Sequence, residues 1–96
     1  MASDIQRVLN AEDVEGLLKL GAPQDEYVQE AKSIAIALNH VKNNKIAEMD
    51  IVFIIQNIWI KSFELHSSDD LQKRFEGFHR VARQILIESK VAERLY

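Results

Sequence analysis

Few residues in this chain could make a reactive site: three histidines, a group of serines near one of them, and fifteen carboxylates. Glu76 and His79 form one Glu-x-x-His pair. Di-iron helical bundles use that pair twice, with two further Glu residues, so that carboxylates and imidazoles surround the metals. Here it occurs once, and neither His40 nor His66 stands four residues from another histidine. Ser62, Ser67 and Ser68 flank His66, but a nucleophile needs an adjacent base and a third group to orient that base. Helix capping accounts for Ser67 and Ser68 without further assumption, and no Gly-x-Ser-x-Gly elbow surrounds them. Gly16, Gly21 and Gly77 are isolated, so there is no glycine-rich phosphate loop. The absence of cysteine removes disulfides, thiolate chemistry and cysteine-based metal sites. The expectation is a protein that is not an enzyme, with no metal and no cofactor.

What remains is charge. The formal net charge is -3, which disfavours nucleic acid as a partner because duplex-binding domains carry a basic face. Lys73, Arg80 and Arg83 could share part of a helix face, but Asp70 and Glu76 dilute it. The acidic residues are concentrated near the front, as Asp13, Glu15, Asp25, Glu26 and Glu30. Acidic side chains in a first helical turn complement the helix dipole, which accounts for Asp25 and Glu26. The excess either is a solvated face that keeps a small protein soluble or is available to attract a cationic partner. These five carboxylates, with Tyr27 beside them, are the candidate partner-binding residues. Trp59 and Tyr27 sit at helical spacing expected for core, and either would anchor an interface if partly exposed.

The elements that position these residues follow from periodicity. Ser3 can cap a short first helix ending near Asn10, with Ile5, Val8 and Leu9 on one face. Ala11 to Leu20 reads as a second short helical turn with Val14, Leu17, Leu18 and Leu20 inward. Gly21-Ala22-Pro23 breaks the chain, and Pro23 at a first helical position starts a longer helix to about Val41. Tyr27, Ala31, Ile34, Leu38 and Val41 form its apolar stripe, and Asn43-Asn44 ends it.

Ile46 to Leu65 is rich in β-formers at Ile51-Val52-Phe53-Ile54-Ile55. Its apolar pattern continues through Phe63, too far for a typical strand, and lacks alternation. A helix apolar nearly all round belongs at the centre. A loop from Leu65 to Asp70 then leads to a last helix, to about Lys90, with Leu71, Phe75, Phe78, Ala82 and Ile85 inward. A tail to Tyr96 follows.

The expected fold is therefore all-α: one domain spanning residues 1–96, a small antiparallel bundle of three long helices plus short N-terminal helices. The start of the chain lacks a basic stretch followed by an apolar run, and Ile51–Ile60 falls short of the roughly 20 apolar residues that span a bilayer. A cytoplasmic protein without membrane contact is expected.

The segment Glu12 to Tyr27 carries a resemblance. Gly16, Leu17 and Leu18, then Gly21-Ala22-Pro23-Gln24-Asp25-Glu26-Tyr27, then Val52 and Phe53, resemble the pattern of the YugE-like family of small bacterial all-helical proteins. That resemblance implies the fold and carries no established activity. In size, charge and helical character the chain also looks like immunity proteins of bacterial toxin systems. Such likeness implies a protein that binds a basic toxin domain, often a nuclease, and covers its active site. A self-associating structural or regulatory protein is the second expectation, with the heptad-like last helix serving either as the seam of a homodimer or, equally well, as part of a monomer core.

Overall fold

The computed structural model describes residues 2–40 and 46–94. Among them are four helices and no strand: α1 (Ala2–Glu12), α2 (Val28–His40), α3 (Glu48–Ser62) and α4 (Ser68–Arg94). Each helix packs on two others, in the cyclic order α1, α2, α3, α4 and back to α1. Arg7 meets Glu88 while Glu12 meets Arg80, so α1 and α4 run antiparallel. The all-helical class agrees with the sequence. The expected pair of short N-terminal helices does not form: α1 is one helix nearly as long as α2, and Asp13 to Tyr27 makes only turns.

Local chemistry explains most boundaries. Asp13 ends α1 in the left-handed region (φ 46°), with its N–H on the Leu9 carbonyl at 2.8 Å. Asp tolerates that conformation better than most residues, and it is the usual geometry just past a helix end. The sequence places the next long helix at Pro23, whereas α2 begins at Val28. The Gln24 carbonyl accepts from the Asn10 side chain at 2.9 Å and from Gln6 at 3.3 Å. It is thereby diverted from the α-helical bond to the Val28 N–H, which pairs instead with Asp25 at 3.1 Å. The residues expected to end α2, Val41, Asn43 and Asn44, lie outside the described residues, as does Tyr96.

At α3, the Asp50 carboxylate reaches back to the Ala47 N–H at 2.9 Å and occupies one donor the helix cannot. The helix ends through Glu64 (φ 52°), where the Leu65 N–H returns to the Ile60 carbonyl at 3.2 Å and the Leu65 side chain is buried. Ser67 caps α4 by accepting the Asp70 N–H at 3.2 Å.

The core joins Ile5, Val8 and Leu9 of α1 to Ala31 and Ile34 of α2, Ile51, Val52 and Ile55 of α3, and Phe78, Val81, Ala82 and Ile85 of α4. Trp59 lies at its centre, fully buried, against Tyr27, Phe63 and Phe78. α3 is central on that side only, because Met49 and Phe53 are exposed one turn apart on its other face. Phe75, expected inward, is 39 % exposed and packs edge-on against His79 instead. No helix among the described residues is long and apolar enough to cross a membrane.

Candidate functional site

The segment from Asp13 to Tyr27 connects α1 to α2 and holds most of the acidic residues singled out by the sequence. Three of the six candidates act at its base. Tyr27 is fully buried, with its ring stacked on Trp59 at 6.0 Å between centroids. Its hydroxyl donates to Asp13 Oδ1 at 2.6 Å and accepts the Glu15 N–H at 3.3 Å. The Asp13 carboxylate also accepts the Leu18 and Lys19 N–H groups, each at 3.1 Å. One side chain therefore closes the turn and ties it to the start of α2.

Burial acts to raise the Asp13 pKa. The bonds from Tyr27, Leu18 and Lys19 outweigh that, so it falls below the ordinary value. Tyr27 moves the other way: burial first, then its hydrogen bond to Asp13 and that group's charge, raise its pKa well above the usual phenol value.

Glu15 forms the second tie. Its Oε1 accepts the Trp59 indole N–H at 2.7 Å, and both its oxygens are gripped by Arg74, with Nη2 to Oε2 at 2.9 Å. Arg74 also donates to the Asp70 carbonyl at 2.7 Å, and its pairing with Glu15 raises its pKa. The fork of a guanidinium matches a carboxylate in just this two-point way. At Gly77 of α4, an added Cβ would meet a methyl group of Val14 at 3.2 Å. The loop thus lies close against α4, and a glycine in mid-helix leaves room for it.

The other candidates lie elsewhere. Glu30 is buried on α2, where burial, with a smaller contribution from the Glu26 charge, raises its pKa. Asp25 and Glu26 are exposed on the turns before α2. The structure therefore gathers Asp13, Glu15 and Tyr27 into an internal network, displays Asp25 and Glu26, and encloses Glu30.

Sequence reasoning placed Leu20 inward, but it is 83 % exposed. It stands in the turns after Gly16 (φ 69°), with Gly21 (φ 101°) following, where the chain direction is set by left-handed glycines and not by a helical period. Nothing in the local sequence signals the Glu15–Arg74 pair, because its members are separated by 59 positions.

The histidine question is also resolved in position. His79 pairs through Nδ1 with Glu48 at 2.8 Å, across from α3, and not with Glu76. Among the described residues no three His, Cys, Asp or Glu side chains converge as metal ligands. Comparison with protein-family models, with curated proteins and with solved structures returns no match.

Proposed function

We propose that the chain is a non-enzymatic protein-binding module, most concretely a bacterial immunity protein that binds and occludes a basic toxin domain. The supporting observation is Leu20. A leucine this exposed, on a loop whose base is tied to the core by Asp13, Tyr27 and Glu15, is an apolar anchor held in a fixed place. Asp25 and Glu26 share that loop and supply the negative charge. Fixing the loop before binding lowers the ordering cost of association. Acidic groups beside an apolar anchor speed and orient the encounter with a cationic cleft. The likeness in size, charge and helical character to toxin-system immunity proteins belongs to the same reading, with a bacterial cytoplasm as its setting.

The test is capture of the partner from a native lysate at low salt, using the wild-type chain and a Leu20→Asp, Asp25→Lys, Glu26→Lys variant. The expected result is a stoichiometric basic protein held by the wild type, released by salt and not held by the variant, with equal helicity in both chains. Equal retention by the variant would remove the loop from the interface.

A second reading, a self-associating protein, is favoured by Met49 and Phe53, exposed one turn apart on α3. Light scattering over a range of concentrations distinguishes it: a constant monomer mass ends that reading.

A further inference from the structure

An ion pair spans α1 and α4 at each end of their contact, Arg7 with Glu88 and Glu12 with Arg80. Between these two rungs a cleft of about 460 Å³ opens. Val8 and Ala11 supply apolar wall, and Gln84 supplies an amide that can both donate and accept. Arg7, Arg80 and Arg83 also line the cleft with one lining carboxylate, Glu12, while Glu88, Glu76 and Glu48 pair with the same arginines from outside the lining. The cleft is open to solvent along one side and combines apolar wall with a few polar groups.

Each of the three guanidiniums is paired with a carboxylate, Arg7 through its Nη2 with Glu88 and the other two through Nε. Arg80 donates to Glu12 through Nε, and Arg83 donates to Glu48 through Nε at 3.1 Å. Among the described residues these are the only hydrogen bonds of either side chain, and Arg80 Nη1 also forms a salt bridge with Glu76 at 3.9 Å. Arg83 therefore keeps its Nη1 and Nη2 donors, the outer edge of the fork, and Arg80 its Nη2, for another acceptor. The Nε contacts restrain the long side chains in advance, so less rotamer freedom remains to be lost when an anion arrives. All three arginine side chains are more than half exposed, so the site is reachable from solvent.

We propose that this cleft binds a small multivalent oxyanion of the phosphate class, held by the outer edges of Arg80 and Arg83 with Arg7 at the opposite rim. Planar two-point donation suits phosphate oxygens. The rungs at both ends limit the ligand to a small molecule. The net charge of -3 works against a long polyanion, which would lie across acidic surface beyond the cleft. This site is separate from the loop that carries Leu20 and does not depend on the partner proposed for it.

The probe is inorganic pyrophosphate, titrated into the full chain at low salt and followed by amide and arginine side-chain NMR shifts. Saturable shifts confined to Val8, Ala11, Arg83 and Gln84 are expected. Arg83→Ala should weaken binding about tenfold, or 1.4 kcal/mol, while Lys73→Ala, on the same helix but not lining the cleft, should not. A thermal melt of each variant establishes that it is folded. Three outcomes overturn the proposal: no saturation up to about 10 mM, shifts spread over all exposed lysines and arginines, or tight binding only of a duplex oligonucleotide.

Discussion

Glu12 and Glu15 are three residues apart, and each reaches across to an arginine of α4, yet their surroundings differ. Glu15 and Arg74 are 11 % and 21 % exposed, and the Trp59 indole shares the same carboxylate. Glu12 and Arg80 are 24 % and 56 % exposed, with solvent on most sides of the guanidinium. Removing one member of a buried charged pair leaves the other desolvated and unpaired, whereas an exposed pair only exchanges its partner for water. Identical chemistry therefore carries unequal weight: one contact sets the loop and the other trims the surface.

The largest expected effect follows from breaking the first contact. Glu15→Ala leaves the buried Trp59 N–H without an acceptor and Arg74 with only the Asp70 carbonyl, and should lower stability by about 3 kcal/mol. At roughly 4–8 °C per kcal/mol for a domain of this size, the change is plain in a thermal melt. A loss under about 1 kcal/mol would show that water reaches this carboxylate freely, and the contrast with Glu12 would vanish.

Tyr27→Phe comes next. It keeps the ring on Trp59 and removes only the hydroxyl, so about 1.5 kcal/mol is expected, the range for a bond to a charged acceptor. The sign of its pH dependence is set by Asp13, whose folded pKa lies below its ordinary value. A depressed carboxylate contributes stability at neutral pH that disappears as pH falls through the folded value. The difference between wild type and Tyr27→Phe should therefore shrink in acid. A difference unchanged by acid would mean that the hydroxyl's bond to Asp13 is not what the substitution removes.

The helices were largely legible in the sequence and the loop was not, for a physical reason. Ile5, Val8 and Leu9, or Tyr27, Ala31 and Ile34, repeat at helical spacing because they line one side of one rod, and all of them are buried. Ser67 announces α4 because its cap bond spans three residues. The loop is held by contacts of another kind: Asp13 to Tyr27, Glu15 to Trp59, Glu15 to Arg74. None has a local period. The same cause misplaced the start of α2, since the diverted Gln24 carbonyl answers to side chains of α1. An acidic cluster read along the chain thus separates in space into internal ties, a displayed pair and a buried glutamate.

That buried glutamate sharpens the comparison from the opposite direction. Glu30 is 7 % exposed, and burial raises its pKa. A raised carboxylate favours the fold below its unfolded pKa and loses that contribution as pH rises through the folded value. Glu30→Gln should therefore be more stable than wild type at neutral pH, with the gain absent in acid. Melting curves at both pH values check this, and a destabilised Gln variant at neutral pH would mean that the charge of Glu30 is being satisfied by a neighbour.

Glu12→Ala should do least, about 0.5 kcal/mol or less, because Arg80 returns to water when its partner leaves. Salt separates this result from a buried contact. Raising ionic strength to 1 M shrinks the screening length to about 3 Å, which should erase the Glu12→Ala difference and leave most of the Glu15→Ala difference in place. A Glu12→Ala penalty that survives high salt would place Arg80 in a drier setting than its exposure implies. The α1–α4 seam would then hold its arginines as firmly as the loop holds Arg74.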